Sequence, residues 1–214
     1  MLLYYITDRS QFPGNEAERR ARLLQKISEA ARAGIDYIQL REKDLVAREL
    51  ESLAREAVKI VRNAGSGTRL LVNSRTDIAL AVGADGVHLQ STDVSPADVK
   101  NIWREANGPA QPIIAVSCHD EDAIVTAQNA TANFVVFGPI FEKKGGSGTT
   151  GSLDDLRNVS RHKIPILALG GITLENAASC IAAGASGIAA IRLFQENEIA
   201  RVVETLSTET RKLS

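Results

Sequence analysis

Short runs of apolar residues alternate with longer amphipathic segments along the whole chain. The short runs are rich in Val, Ile, Leu and aromatic residues, which is typical of strands buried in a sheet. We therefore expect eight strands, at residues 2–7, 37–40, 69–73, 86–89, 113–117, 134–138, 166–169 and 187–191.

The longer segments carry apolar residues at intervals of three and four, a spacing that places them on one face of an α-helix. One such segment follows each expected strand, so the chain consists of strand–helix units. The expected helices are residues 16–33, 46–64, 76–82, 96–105, 121–130, 152–160, 174–183 and 198–212.

A similar helix-to-strand turn occurs three times, at residues 33–36, 82–86 and 183–187, each with a glycine just past the helix end. Glycine is favoured there because the turn needs a left-handed residue. Eight strand–helix units with a recurring turn predict an α/β fold, a closed (β/α)8 TIM barrel, with residues 1–214 as a single domain. An open, doubly wound sheet is the alternative fold.

The composition indicates a globular protein and argues against a nucleic-acid-binding or membrane-spanning one. The 214 residues are 44% hydrophobic, which is enough for one sizeable core. The net charge of −1 lacks the excess of cations that a nucleic-acid surface needs. The sequence has no long apolar run or leader-like segment, and Cys118 and Cys180 lack metal-site spacing, so we expect a cytoplasmic protein with no membrane span. The amphipathic outer helices are compatible with a homodimer.

The second expected strand carries the most informative polar residues. Gln39, Arg41 and Lys43 occupy alternate positions, and a period of two places them on one face of the strand and its end. An amide and two cations on one face predict an anion site. The alternative is an exposed edge strand with solvated cations.

The ends of the next three strands are also polar, and in a TIM barrel the chemistry lies at the carboxyl ends of the strands. Asp93 adds a carboxylate that can hold Mg²⁺ against a diphosphate. The polar residues at these three ends are Asn73, Ser74, His88, Asp93, Ser117 and His119.

A second anion site is expected where the last two strands end. Gly170 and Gly171 precede a helix, and Ile191 and Arg192 end strand eight, where TIM barrels commonly bind phosphate on backbone N–H groups. The loop after strand six is rich in glycine and hydroxyl groups, which is typical of a lid. Two anion sites at one mouth imply two phosphorylated groups or one long one. The lid residues of interest are Lys143, Lys144, Thr149 and Thr150.

These motifs together resemble the superfamily of thiamin phosphate synthases (thiamine-phosphate pyrophosphorylases) and TenI-type thiazole tautomerases. The resemblance extends over nearly the whole chain, and the family fold is a TIM barrel. The segments that carry the resemblance are residues 5–8, 39–43, 71–73, 84–89, 116–119, 138–141 and 170–172.

The resemblance to the synthases implies a transferase of thiamin biosynthesis. It would use Mg²⁺ to couple hydroxymethylpyrimidine diphosphate with thiazole phosphate, releasing pyrophosphate. The implied pyrimidine contacts are Gln39 and His88, and the implied metal ligand is Asp93. The implied catalytic residues are Arg41, Lys43 and Ser117. The implied diphosphate contacts are Arg41, Lys43, Asn73 and Ser117. Further candidate substrate contacts, expected from their positions at the strand ends and in the loop, are Thr149, Thr150, Gly170, Gly171, Ile191 and Arg192.

Three positions depart from the synthase pattern. Ser74 stands where the family has a metal-binding Asp, the segment 142–146 replaces a Pro-Thr-x-Thr-Lys loop, and Arg192 replaces a phosphate-binding Ser. The loss of one carboxylate implies weaker Mg²⁺ binding.

Two other functions stay open at this point. A tautomerase needs a general base, but Pro139 occupies the position of the family's His, so His119 would have to serve instead. A protein that binds thiamin precursors without turnover is the third hypothesis.

Overall fold

A computed structural model describes residues 1–108, 111–141 and 151–211 of the chain. Eight parallel strands pair in sequence order, and β8 pairs with β1, so the sheet closes into a barrel. The TIM-barrel prediction is confirmed, and the open doubly wound sheet is excluded. The strands are β1 (Leu2–Ile6), β2 (Tyr37–Leu40), β3 (Arg69–Asn73), β4 (Gly86–Leu89), β5 (Ile113–Cys118), β6 (Phe134–Phe137), β7 (Ile166–Leu169) and β8 (Gly187–Ala190).

Helices follow the strands and surround the barrel. The short helix that directly follows β8 was not expected, because one turn is too short to show a helical period. Within the described residues, no helix has the length and apolar character needed to cross a membrane. The helices are α1 (Glu16–Arg32), α2 (Ala47–Ala64), α3 (Thr76–Val82), α4 (Pro96–Glu105), α5 (Glu121–Asn129), α6 (Leu153–Val159), α7 (Leu174–Ala182), α8 (Arg192–Gln195) and α9 (Ile199–Arg211), with a 3-10 turn at Arg9–Gln11.

Side chains pack in two layers because successive strand residues point to opposite faces of the sheet. One layer lies between the barrel and the helices, and the other fills the lumen. Tyr4 packs edge-on against Phe134 with ring centroids 5.5 Å apart, and Tyr37 lies 4.7 Å from Phe134. Tyr37 and Phe134 begin their strands. The amino-terminal half of the lumen is therefore filled with aromatic rings.

Two of the recurring helix-to-strand turns form hydrogen bonds to the neighbouring strand near its beginning. Asp36 Oδ2 accepts a hydrogen bond from Leu3 N at 2.8 Å, and Asp85 Oδ2 accepts one from Leu70 N at 2.8 Å. Gly34, the glycine of the first turn, has φ of 78°, as the sequence predicts for a left-handed residue. These carboxylates satisfy strand N–H groups and help to set the register of the barrel.

Candidate active site

The end of β2 lies inside the barrel sheet, with strands on both sides. β2 pairs with β1 and with β3, so the alternative of an exposed edge strand is wrong. Gln39 is buried, Arg41 is half-buried and Lys43 is exposed. The three residues therefore extend from the lumen to the mouth of the barrel.

A chain of hydrogen bonds connects β2, β3 and the β4–α4 loop. Gln39 Nε2 donates to Asn73 Oδ1 at 2.9 Å, and Asn73 Nδ2 donates to Ser74 Oγ at 3.1 Å. Ser74 Oγ donates to Asp93 Oδ2 at 2.6 Å, and Gln90 N donates to the same oxygen at 2.8 Å. Asp93 is thus fixed beside Ser74 with one carboxylate oxygen occupied.

A cavity of about 300 Å³ opens beside the ends of β2 and β3. Lys43, Asn73, Ser74 and Arg75 line it together with apolar side chains that include Leu40. Arg75 forms an ion pair with Asp77 at 2.6 Å. Because the Lys43 ammonium shares this cavity with two hydroxyl or amide groups, the cavity can accept an anionic group.

The acidic residue at the mouth, Asp93, is compatible with a metal ion that is coordinated by the protein and a substrate together. Across the described residues, no group of three or more His, Cys, Asp or Glu side chains is placed to hold a metal ion by itself. Asp93 offers Oδ1, to which the described residues donate no hydrogen bond. Mg²⁺ is commonly held by one or two carboxylates, waters and substrate phosphates, so Asp93 alone is compatible with Mg²⁺ brought by a diphosphate.

A second chain of hydrogen bonds crosses the lumen. His88 Nδ1 lies 3.0 Å from Tyr4 Oη, and His88 Nε2 lies 2.7 Å from Ser117 Oγ. Burial, with a smaller contribution from the Arg41 charge, lowers the pKa of His88 to about 3. The ring is therefore neutral at physiological pH, and both of its nitrogens already have protein partners.

The strand ends on the other side of the mouth form a compact backbone turn. Gly170 and Gly171 have φ of 99° and 63°. A Cβ on Gly170 would lie 2.5 Å from Pro139 Cβ, and a Cβ on Gly171 would lie 2.7 Å from Phe141 Cβ. Glycine is therefore required at both positions for space as well as for conformation.

Other predicted site residues lie near this turn or outside the described part of the chain. Ile191 is half-buried, and Arg192 is exposed at the start of α8. His119 Nδ1 donates to the Gly138 carbonyl at 2.6 Å, so the neutral ring carries its lone pair on Nε2. Lys143, Lys144, Thr149 and Thr150 lie outside the described residues, so their roles stay predictions.

A buried ionic cluster lies behind the mouth and was not expected from the sequence. Glu42 Oε1 accepts from Thr7 Oγ1 at 2.5 Å, and Glu42 Oε2 accepts from Arg9 N at 3.0 Å. Arg9 also forms two hydrogen bonds to Asp44, at 2.7 and 2.9 Å. Thr7 Oγ1 in turn accepts from Arg41 N at 3.0 Å. The sequence did contain a signal for this cluster, because Arg9 and Glu42 carry opposite charges just after the neighbouring strands β1 and β2.

Comparison with known proteins identifies the family. The model of the TMP-TENI family, thiamine monophosphate synthase, matches residues 3–194. The chain belongs to this family. The superfamily resemblance drawn from the motifs is therefore confirmed.

Individual members of the thiamine monophosphate synthase family support the assignment. The chain is 40% identical over 192 residues to a putative thiamine-phosphate synthase of Geobacter sulfurreducens, covering 88% of this chain and 84% of that protein. It is 42% identical over 171 residues to a thiamine-phosphate synthase of Moorella thermoacetica, covering 78% of each. A solved thiamine phosphate pyrophosphorylase from Pyrococcus furiosus superimposes with a TM-score of 0.80 at 27% identity, covering 99% of this chain and 96% of that one.

The buried neutral histidine leads to a prediction about acid stability. The folded-state pKa of His88 is below its unfolded value of about 6.5, so the unfolded chain takes up a proton that the folded protein excludes. The stability of the wild type relative to His88→Gln is then fully present above about pH 6.5 and falls as the pH decreases. Between pH 7 and pH 5, urea unfolding should show a relative loss of about 2 kcal/mol. A pH-independent difference between the two proteins would contradict a neutral His88.

Proposed function

We propose that the protein is a thiamin phosphate synthase, which couples hydroxymethylpyrimidine diphosphate with thiazole phosphate and releases pyrophosphate. The observation that carries the proposal is the placement of Arg41, Asn73 and Ser117 at or just past the carboxyl ends of β2, β3 and β5. Lys43 and Asn73 line one cavity there, and Ser74 in the same cavity is bonded to Asp93. Membership of the thiamine monophosphate synthase family supports the same reaction.

In the proposed reaction, the bond between the pyrimidine methylene carbon and the diphosphate oxygen breaks, and the oxygen keeps the electron pair. The thiazole nitrogen then forms a new bond to the same carbon. Negative charge grows on the leaving diphosphate, so Arg41 and Lys43 stabilise the transition state more than the ground state. Ser117 can donate a hydrogen bond to the same group. Mg²⁺, when bound, would neutralise part of the diphosphate charge.

The pyrimidine would occupy the upper lumen between β2 and β4. Gln39 Nε2 is engaged by Asn73, which leaves Oε1 to accept a hydrogen bond from an amino group of the ring. The lumen walls around Gln39 are apolar, and residues such as Ile6 and Val136 line them. Exclusion of water by these walls protects a carbocation until the thiazole nitrogen attacks.

The thiazole phosphate would bind across the mouth, at the turn formed by Gly170 and Gly171. Arg192 stands at the end of β8, where it can form two parallel hydrogen bonds to a phosphate. Ile191 would contribute backbone and apolar contact. Thr149 and Thr150 remain proposed contacts from the loop after β6.

We also propose that the chain acts in the cytoplasm as a single domain, with small-molecule substrates and no nucleic-acid or membrane partner; a homodimer is compatible with its amphipathic outer helices. Cys118 and Cys180 are buried and free, which suits a reducing compartment. The net charge of −1 supports the absence of a nucleic-acid partner.

The direct experiment is to incubate the protein with hydroxymethylpyrimidine diphosphate and thiazole phosphate and to follow thiamin phosphate by chromatography. We expect product with Mg²⁺ and none when the metal is chelated. No product at any Mg²⁺ concentration would contradict the synthase proposal. A tautomerase using His119 Nε2 as its base would then be tested by NMR of the thiazole carboxylate phosphate.

Replacement of Arg41 by Ala tests the diphosphate site. A charge-assisted hydrogen bond contributes about 1.5–3 kcal/mol, so Arg41→Ala should weaken binding of the pyrimidine diphosphate about 10- to 100-fold. Isothermal titration calorimetry measures this change. Arg55→Ala, which removes an exposed arginine paired with Glu51 on α2, is the matched control. Unchanged affinity in Arg41→Ala would place the anion elsewhere.

Replacement of Ser74 by Asp tests the metal position. Ser74 has φ of 56°, a left-handed conformation in which Asp is enriched over most other residues, so the backbone should accept the change. A second carboxylate beside Asp93 should tighten Mg²⁺ binding in the presence of pyrophosphate by about tenfold. Ser74→Ala removes the hydrogen bond to Asp93 without adding charge and should not tighten it. Equal Mg²⁺ affinity in Ser74→Asp and the wild type would mean that residue 74 does not face the metal.

A further inference from the structure

A line of three polar side chains crosses the interior of the barrel from β1 to β5. Tyr4 comes from the middle of β1, His88 from β4 and Ser117 from β5. Tyr4 is fully buried and His88 is 2% exposed, whereas Ser117 is half-buried. The line therefore begins in the closed part of the lumen and ends at its open mouth.

The hydrogen bond between Tyr4 and His88 has a fixed direction. Tyr4 Oη contacts His88 Nδ1 at 3.0 Å, and the described residues offer its proton no other acceptor. Burial raises the pKa of Tyr4, so the phenol keeps its proton. An unpaired O–H in an apolar lumen is costly, so Tyr4 donates and His88 Nδ1 accepts.

The direction at Tyr4 sets the direction at Ser117. A neutral imidazole that accepts at Nδ1 carries its proton on Nε2, so His88 Nε2 donates to Ser117 Oγ across 2.7 Å. Ser117 Oγ then accepts this hydrogen bond with one of its lone pairs. Its own proton has no acceptor among the described residues and is available to a ligand at the mouth.

We propose that Tyr4 and His88 are positioning residues that fix the direction of the Ser117 hydroxyl, so that Ser117 presents its proton to an anion. The inference rests on the proposed function for the identity of that anion, the leaving diphosphate. It also assigns His88 a role through Ser117 in place of direct contact with the pyrimidine.

The opposite tautomer would harm anion binding. If His88 carried its proton on Nδ1, Nε2 would accept from Ser117, and the serine would turn oxygen lone pairs toward the phosphate. Two acceptors facing each other repel. Tyr4 therefore disfavours the tautomer in which the Ser117 lone pairs would repel the oxygens of the ligand.

NMR can test the tautomer without any substrate. The chain has three histidines, so long-range ¹H–¹⁵N spectra of the wild type, His119→Gln and His162→Gln assign His88 by elimination. We expect a neutral ring with its proton on Nε2. A ring protonated on Nδ1, or on both nitrogens at neutral pH, would overturn the proposal whether or not the protein is a synthase.

Removal of one hydroxyl tests the role of Tyr4. Tyr4→Phe keeps the ring that packs on Phe134 but deletes the donor that opposes a proton on Nδ1, so the fraction of His88 protonated on Nδ1 should rise. Tyr37→Phe is the matched control because Tyr37 belongs to the same aromatic cluster, whereas the His88 nitrogens are hydrogen-bonded to Tyr4 and Ser117. A fraction of Nδ1-protonated ring that is equal in Tyr4→Phe and Tyr37→Phe would overturn the proposal.

A double-mutant cycle with pyrophosphate tests the link to Ser117. Tyr4→Phe should weaken binding of Mg²⁺-pyrophosphate about two- to tenfold by calorimetry, with no loss in Tyr37→Phe. In a Ser117→Ala background, Tyr4→Phe should have no further effect, because the group that it orients is gone. Additive losses of pyrophosphate affinity would show that Tyr4 has a merely structural role and would overturn the proposal. Wild-type protein that binds no pyrophosphate would also overturn it.

Discussion

Closure of β8 onto β1 is the constraint on which the rest of the structure depends. A closed parallel barrel has no edge strand, so every second residue of each strand must face the lumen. Aromatic rings fill the amino-terminal half of that lumen, and this filling leaves the carboxyl ends of the strands as the place where polar side chains can meet. Gln39, His88 and Ser117 come together from three different strands for this reason.

The mouth is held in shape by contacts that never touch a ligand. Glu42 is buried between Thr7 and Arg9, and Thr7 in turn accepts a hydrogen bond from the backbone of Arg41. Burial raises the pKa of Glu42, while its hydrogen bonds and Arg9 oppose this increase. This cluster behind the mouth thus fixes the segment that carries Arg41 and Lys43, which preorganises the two cations for an anion.

The fold and the placement of strand residues such as Gln39 could be predicted because both follow from local periodicity. The period of two along β2 placed Gln39 on the lumen side, and the structure confirms that placement through its bond to Asn73. The bond between Tyr4 and His88 could not be predicted, since the two residues are 84 positions apart and each has the pattern of a core residue. The helix at Arg192 was missed because a single turn has no period to detect.

The most direct test of the mouth as a diphosphate site is a crystal structure of the protein with Mg²⁺ and pyrophosphate. We expect phosphate oxygens within hydrogen-bonding distance of Arg41, Lys43 and the Ser117 hydroxyl, with the metal on Asp93. Pyrophosphate bound away from these side chains, with Ser117 still directed at His88 alone, would contradict the claim that this mouth is built to take up a leaving diphosphate.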